Sequence, residues 1–306
     1  MSDSNKKIRV LITGSRGFLG KAIIELLGDK ENYEVITTNS SLHNLENLEE
    51  CKIATKDIDI IIHLAGLVLS RNEQQLRPAE VFTTNTLTTI NIAESAKVNK
   101  VRRVIFIGSV TAYPEKLEPP FTESDLWRGP VAEANYAYGT AKRITETIAR
   151  AYRDQYAIET CVLFLPNLYG PNDKFTNTPP PLIPSIISQI HKANEENKAV
   201  IKGGNNGDAE LDILYVADAA QAIYCALTAN ELPIMVNIST GSTISIKNIY
   251  KTIANVLKYK GIIEWEPGNV PNPRKMDSTL AHQYLAWKST VSFETGITHT
   301  IDSYLK

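Results

Sequence analysis

The sequence contains little cysteine: 3 residues in 306, with no CxxC pair among them. Cys161 and Cys225 lie in apolar runs, which is typical of small buried side chains in a reducing compartment. This scarcity excludes a disulfide-rich fold. The 5 histidines form no HxxxH or HExxH pattern, so we expect no metal site.

Charge of one sign is also lacking, since 32 Lys and Arg residues are balanced by 34 Asp and Glu residues and the net charge is −2. The basic residues are scattered, so we expect no nucleic-acid partner and no anionic membrane surface. No apolar run approaches the roughly 18 residues that a membrane span needs, and no hydrophobic signal core follows the first residues. We therefore expect a cytoplasmic protein.

Apolar residues make up 43% of the chain, and they recur in a regular order. Over the first 165 residues, short β-branched runs alternate with longer amphipathic stretches. Nearly continuous apolar runs are typical of parallel strands covered on both faces, so the alternation predicts an α/β fold with a Rossmann-type, doubly wound parallel sheet. The predicted strands are residues 8–12, 33–37, 59–64, 104–107 and 160–165.

A glycine-rich loop follows the first predicted strand and precedes a predicted helix. Residues 13–20 are TGSRGFLG, a GxxGxxG pattern. The first glycine allows a tight turn, the second lets the backbone approach a pyrophosphate, and the third packs the helix close to the strand. The free N–H groups at the helix start then face the phosphates, which predicts dinucleotide binding. The predicted contacts are Gly14, Ser15, Arg16, Gly17, Phe18, Leu19 and Gly20.

The end of the second predicted strand lacks an acidic residue. An NAD site usually places Asp or Glu there to hold the ribose 2′-OH, whereas this chain continues with Thr38, Asn39 and Ser40. Hydroxyls, an amide and the nearby Arg16 can donate to a 2′-phosphate, which a carboxylate would repel. These residues favour NADP(H), and NAD(H) remains possible.

The second half of the chain has a different pattern. Residues 166–181 are rich in Pro and Asn, which indicates a connecting or functional loop. Helices are predicted over 183–194, from Asp218 and over 245–257, with strands near Val200 and Ile213 and over 235–238. We predict a dinucleotide-binding domain over 1–165 and a mainly substrate-binding domain over 166–306, with segments that re-enter the main sheet.

Three residues point to hydride-transfer chemistry. Tyr138 and Lys142 form a YxxxK pair on one face of a predicted helix, and Ser109 ends the apolar strand VIFIG at the edge where doubly wound sheets bind ligands. A second YxxxK pair, Tyr284 and Lys288, has no comparable serine and is taken as accidental.

Carbonyl reduction needs a proton at oxygen while hydride arrives at carbon. A free tyrosine has a pKa of about 10. A neighbouring ammonium and the positive oxidised nicotinamide should lower the pKa of Tyr138 towards the working range. Ser109 would hydrogen-bond the same substrate oxygen.

Further motifs accompany these residues: IIHLAG (61–66), Asn85 in a helical stretch, GSVTAYP (108–114), PNLYGPND (166–173) and PRKMDST (273–279). Together they resemble the extended short-chain dehydrogenases/reductases (the NAD-dependent epimerase/dehydratase family), which act mainly on nucleotide sugars. The resemblance implies further cofactor contacts by Leu64, Ala65, Gly66, Asn85, Ile107, Lys142, Pro166, Asn167 and Leu168. It implies catalysis by Ser109, Tyr138, Lys142 and Thr111, and substrate contacts by Ser109, Thr111, Tyr138, Asn167 and Arg274.

Within that family the chain resembles the GDP-L-fucose synthases in particular. These enzymes epimerise a GDP-4-keto-6-deoxy-mannose at C3 and C5 and then reduce C4 with NADPH. The resemblance also implies a homodimer through a four-helix bundle. Two departures matter. Thr111 stands where that branch has a cysteine, and Pro181 stands where it has a histidine. In the synthases, that cysteine and that histidine carry out the epimerisation. A threonine hydroxyl is too weakly acidic to replace a thiol, and proline has no proton to offer.

The sequence therefore predicts an NADP(H)-dependent 4-ketoreductase of an NDP-4-keto-(6-deoxy)hexose without 3,5-epimerase activity. Related dehydratases and decarboxylases carry glutamate at the position of Thr111, whereas 4-epimerases carry threonine, so 4-epimerisation stays an alternative. A third hypothesis is a non-catalytic scaffold that binds a dinucleotide. It is disfavoured because the serine, the tyrosine and the lysine are all present. Leu211 stands where the synthases have an arginine, and Gln189 stands where they have a basic residue. Arg274 is therefore the candidate contact to phosphate or ribose.

Overall fold

The computed structural model describes residues 6–176, 179–205, 207–268, 270 and 272–306. Five strands of its main sheet match the five predicted runs: β1 (Ile8–Thr13), β2 (Tyr33–Thr38), β3 (Ile60–His63), β4 (Arg103–Ser109) and β5 (Glu159–Leu165). A sixth, β10 (Met235–Asn237), comes from the second half of the chain. All pair in parallel, in the order β10-β5-β4-β3-β1-β2. The predicted α/β, doubly wound sheet is confirmed.

Helices cover both faces of this sheet, which explains why its central strands are apolar at consecutive positions. The side chains of Val10 and Ile12 face one cluster and that of Leu11 faces the other, and all three are fully buried. Burying such a side chain stabilises the fold by about 1.5–3 kcal/mol. The first half contributes helices α1 (Phe18–Gly28), α2 (Leu48–Ala54), α3 (Arg71–Leu76), α4 (Pro78–Val98) and α5 (Tyr136–Tyr156).

Within the described ranges, the second half adds smaller strand pairs and five helices. The remaining strands are β6 (Asn167–Tyr169), β7 (Val200–Asn205), β8 (Glu210–Leu211), β9 (Ile213–Tyr215), β11 (Ile244–Ser245) and β12 (Ile262–Glu266). They form the pairs β6-β9, β7-β12 and β8-β11. The remaining helices are α6 (Leu182–Glu195), α7 (Val216–Thr228), α8 (Ile246–Val256), α9 (Thr279–Leu285) and α10 (Phe293–Tyr304).

Part of the second half belongs to the core of the main sheet. Apolar residues of α7 and α9 pack in the same cluster as α1, whereas α6, α8 and α10 enclose a separate cluster. The division at residue 166 stays a prediction. Helix α7 begins at Val216, two residues before the predicted start, and Asp218 in its first turn accepts hydrogen bonds from Thr290 and Val291. Within the described ranges no helix is long and apolar enough to cross a membrane.

Candidate active site

The glycine loop between β1 and α1 is closely packed against backbone. Gly14 has φ +66°, a conformation that favours glycine, and a Cβ there would lie 2.8 Å from the amide nitrogen of Ala65. A Cβ on Gly20 would lie 2.5 Å from the carbonyl oxygen of Gly14. Both positions require glycine, so the loop, α1 and the segment after β3 form one closely packed unit at the carboxyl edge of the sheet.

The start of α1 is open to an anion. Its N-cap residue is Gly17, which has no side chain to cap the first-turn N–H groups. Such N–H groups and the helix dipole favour a bound phosphate. Arg16 is exposed beside them. This cradle fits the pyrophosphate of a dinucleotide.

The end of β2 is partly engaged in internal contacts. The Thr38 hydroxyl hydrogen-bonds His43 Nδ1 at 2.9 Å, and the Thr38 carbonyl accepts from Ser15 Oγ at 3.1 Å. Asn39 Oδ1 accepts from the amide of Ser41 at 2.9 Å. The Ser40 side chain is exposed. Thr38 and Ser15 therefore hold the loop and the strand together.

A buried histidine, His63, lies beneath the loop and was not predicted. The Thr13 hydroxyl oxygen accepts from the amides of Leu64 and Ala65, both at 3.1 Å, so its own proton is directed to His63 Nδ1 at 2.9 Å. The imidazole is then neutral, with its proton on Nε2. Burial and, to a smaller extent, the charge of Lys142 together lower the pKa of His63 to about 3. The only sequence signal was its position at the end of an apolar strand, directly before Leu64.

The predicted catalytic residues come together at this edge. Lys142 Nζ donates to the carbonyl of Ile107 at 3.0 Å and lies 5.8 Å from the ring centroid of Tyr138. The side chain of Ser109 lies close enough to the Tyr138 hydroxyl to lower the pKa of the tyrosine. Ser109 Oγ in turn accepts from the hydroxyl of Thr111 at 2.9 Å. Because Thr111 supplies this hydrogen bond, the Ser109 proton is free to be donated.

The pKa of the catalytic tyrosine depends on its burial. Burial raises the pKa of Tyr138 to about 12, and only the Ser109 hydrogen bond opposes this rise. Desolvation of the phenolate causes this rise, and the lowering expected from Lys142 together with the oxidised nicotinamide stays a prediction. Burial also lowers the pKa of Lys142 to about 8. A protonated tyrosine is the form that can donate a proton to a carbonyl oxygen.

Asn85 lies next to Lys142 and carries an unpartnered oxygen. Its amide nitrogen donates to the carbonyls of Val81 and Leu67 at 2.7 and 3.0 Å. Its Oδ1 is buried and has no hydrogen-bond partner among the described residues. A Cβ on Gly66 would lie 2.5 Å from that oxygen and 3.9 Å from Lys142 Nζ. A buried acceptor without a donor is costly, which fits a site completed by a bound molecule.

The proline–asparagine segment after β5 begins at the same edge. Pro166 is buried, Asn167 is exposed and Leu168 is partly buried, and β6 pairs with β9. Pro181 is the N-cap residue of α6. The role of these residues in binding stays a prediction.

Arg274 makes contacts of another kind than predicted. Its guanidinium donates to the main-chain carbonyls of Val110, Tyr113 and Pro114 at 2.8, 3.0 and 3.0 Å. These contacts hold the segment after Ser109. The predicted contact to phosphate or ribose has no support in this geometry and stays a prediction.

A family model described as "NAD dependent epimerase/dehydratase family" matches residues 10–239. The chain is 30% identical to GDP-L-fucose synthase of Escherichia coli (strain K12), over 98% of this chain and 97% of the relative. It is 29% identical to GDP-L-colitose synthase of Yersinia pseudotuberculosis, over 97% and 98%. Among solved structures, GDP-mannoheptose C4 reductase from Campylobacter jejuni with NADP bound has a TM-score of 0.90 at 20% identity, covering 98% and 99% of the two chains.

Proposed function

The chain belongs to the NAD-dependent epimerase/dehydratase family, and we propose that it is an NADPH-dependent 4-ketoreductase of a nucleotide-activated 4-keto-(6-deoxy)hexose. The arrangement of Ser109, Tyr138 and Lys142 beside the glycine cradle carries this proposal. The similarity to a GDP-L-fucose synthase and to a GDP-mannoheptose C4 reductase supports a nucleotide-sugar substrate.

The cofactor, when bound, supplies hydride to the substrate carbon. Gly14, Gly17 and Gly20 would hold its pyrophosphate. The acid-free end of β2, with Arg16 and Ser40 exposed, favours a 2′-phosphate and therefore NADP(H). The NADP bound to the C4 reductase of the same fold supports this preference.

The chain's own residues supply the proton and stabilise the charge that its transfer leaves behind. Tyr138 donates its phenolic proton to the substrate oxygen, which becomes the C4 hydroxyl. Ser109 donates a hydrogen bond to that oxygen. Its own Oγ already accepts hydrogen bonds from the amide and the hydroxyl of Thr111. Lys142, held by the Ile107 carbonyl, stabilises the phenolate left behind because an opposite charge favours the ionised form.

Epimerisation before reduction is not part of the proposal. It would need a residue that removes a carbon-bound proton and one that returns it, and Thr111 and Pro181 stand at the two positions. The Thr111 hydroxyl donates to Ser109, which supports a role in orienting the serine.

The test is reduction of GDP-4-keto-6-deoxy-mannose and related nucleotide sugars, followed by loss of NADPH absorbance. We expect Tyr138→Phe to lower kcat by roughly 10²–10⁴-fold without weakening NADPH binding. The matched control is Tyr284→Phe, which removes the tyrosine of the second YxxxK pair. That tyrosine lies in α9, which ends before Lys288, so the control should keep wild-type activity. Full activity of Tyr138→Phe would refute the proposed chemistry.

The same reaction in deuterated water tests the absence of epimerisation. We expect a product without deuterium at C3 or C5, read by NMR, whereas deuterium there would show proton exchange at those carbons. Tightly bound NAD and interconversion of sugars without net oxidation would select the 4-epimerase alternative.

We also propose a cytoplasmic homodimer through α4 and α5. The two helices pack in one layer and expose large apolar side chains, among them Phe82, Ile90 and Tyr156. Exposed apolar surface of this kind marks an interaction site. Ile90→Glu should convert a dimer to a monomer in light scattering, whereas the control Ile262→Glu, on exposed β12, should not. A wild-type monomer would refute this proposal.

A further inference from the structure

A short segment, residues 273–278, joins β12 and α9 and is here named the strap. Its main chain is held on two sides. Phe121 exchanges hydrogen bonds with it, donating to the carbonyl of Lys275 and accepting from the amide of Asp277, both at 2.8 Å. The amide of Met276 donates to Asp212 Oδ2 at 3.2 Å. The strap is therefore a fixed element rather than a loose connection.

Arg274 extends from the strap to the turn of residues 109–114, here named the catalytic turn because it carries Ser109 and Thr111. Its guanidinium donates to the carbonyls of Val110, Tyr113 and Pro114. It also lies over the ring of Phe121, at 5.2 Å from the centroid. One planar fork thus holds both ends of the catalytic turn, which a lysine ammonium cannot reproduce.

Arg143, from the catalytic helix α5, holds the same turn from the other side. Its Nε donates to the carbonyl of Ala112 at 2.6 Å and its Nη1 to that of Gly129 at 2.7 Å. Four carbonyls of the catalytic turn therefore accept from two guanidinium groups. Helix α5 also lies close to a further carbonyl of the turn, since a Cβ on Gly139 would lie 2.7 Å from the Thr111 carbonyl oxygen.

These contacts connect the strap with the reacting groups. The position of the catalytic turn sets where the Ser109 hydroxyl lies, as does the hydrogen bond that Ser109 accepts from Thr111 in the same turn, and the Ser109 side chain in turn lowers the pKa of Tyr138. A misplacement of about 1 Å in such a group can cost about a hundredfold in rate. The guanidinium of Arg274 acts on the reaction through this turn.

We propose that Arg274 is a positioning residue of the reduction, which anchors the catalytic turn and sets where the Ser109 hydroxyl lies relative to Tyr138. The proposal rests on the proposed ketoreductase function and assigns Arg274 a part in it other than binding the nucleotide phosphate. Arg143 is its partner on the α5 side.

The first experiment compares Arg274→Met and Arg274→Lys with the wild type in the NADPH-dependent reduction. We expect Arg274→Met to lower kcat by roughly tenfold to a hundredfold, while KM for NADPH and for the nucleotide sugar stays within about twofold. Arg274→Lys should lose less, because it keeps the charge and one or two of the donors. The matched control is Arg102→Met, because Arg102 is exposed and precedes β4 at the opposite edge of the sheet, and it should keep wild-type kcat.

The second experiment needs no substrate. Tyrosinate absorbance is titrated with pH in the wild type and the Arg274 variants, and the same titration of Tyr138→Phe identifies the contribution of Tyr138. Because the nearby Ser109 side chain lowers the pKa of Tyr138, we expect displacement of Ser109 to raise the midpoint for Tyr138 in both Arg274 variants, more in Arg274→Met. If Arg274→Met fails to fold, Arg274→Lys decides in both experiments.

Two results would overturn the positioning role. One is an unchanged kcat with a raised KM for the nucleotide sugar and weaker inhibition by the nucleoside diphosphate, which would make Arg274 a phosphate ligand. The other is an unchanged Tyr138 midpoint in both variants. A wild-type protein that reduces no keto sugar would instead refute the proposed function, and the titration would still test the link from Arg274 to Tyr138.

Discussion

Replacing Gly20 with alanine tests the cofactor cradle without touching any functional side chain. A Cβ at this position would lie 2.5 Å from the carbonyl oxygen of Gly14, and 2.8 and 2.9 Å from the carbonyl oxygen and carbon of Ser15. All three atoms belong to the main chain, so no side chain can rotate away. The loop and the start of α1 must separate.

The size of the effect follows from this overlap. Forcing an extra methyl group into a closely packed site costs typically about 1–3 kcal/mol. The free protein can relax by moving the loop outward, whereas cofactor binding needs the loop and the helix start in place. We therefore expect most of the cost to appear in binding, as a loss of NADPH affinity of roughly 5- to 150-fold.

The control variant is Gly28→Ala, because Gly28 is the last residue of the same helix and a Cβ there would have no neighbour within 4 Å. Alanine is favoured over glycine in a helix by up to about 1 kcal/mol, so this variant should be slightly more stable and bind NADPH normally. Isothermal titration with NADPH measures affinity, and thermal unfolding without cofactor measures stability. Equal affinity of Gly20→Ala and wild type for NADPH would show that the loop does not form the cofactor site.

Two further predictions concern stability. Burial raises the pKa of Asp212 to about 6, so its native state retains a proton that the unfolded chain has released, and the resulting stability is lost as pH rises from about 4 to 6. Asp212→Asn should remove up to about 3 kcal/mol of this pH dependence in urea unfolding, and an unchanged slope would contradict the argument. Arg103 is buried, with its side chain 4% exposed, and donates to the carbonyls of Ala226, Leu227 and Ala229 at the end of α7. Arg103→Met should lower the free energy of unfolding by about 2–4 kcal/mol, against less than about 1 kcal/mol for Arg102→Met, and similar losses in the two variants would refute the role of burial.

Several elements were not predicted, for reasons visible in their residues. Strands β8 and β11 have two residues each, and they exist because Ile244 pairs with Leu211 across 33 positions of the chain. Helix α3 had a usable local signal, since Ser70 and Glu73 form a capping box at its start. Helix α10, whose N-cap is Ser292, is a similar case. Strands β8 and β11 and helix α3, with two to six residues each, carry too few apolar positions for periodicity to reveal them. The 12 residues of α10 do carry apolar residues at helical spacing, so periodicity could have revealed that helix.

The sequence by itself determined the features that local pattern encodes. Consecutive apolar residues in β1 and β3 required burial on both faces, which led to the parallel sheet. The glycines at 14, 17 and 20 specified a close turn into a helix, and the spacing of Tyr138 and Lys142 placed both on one helix face. Each of these depends on residues near one another in the chain, so a single sequence was sufficient.

Only the tertiary structure decided the features that depend on distant parts of the chain. The pKa of Tyr138 is raised because the folded protein removes water from the phenol, and the spacing of YxxxK carries no information on that desolvation. Arg274 meets the carbonyl of Val110 across 164 positions. Burial and long-range hydrogen bonds are properties of the assembled fold, and they determine what the residues recognised in the sequence can do.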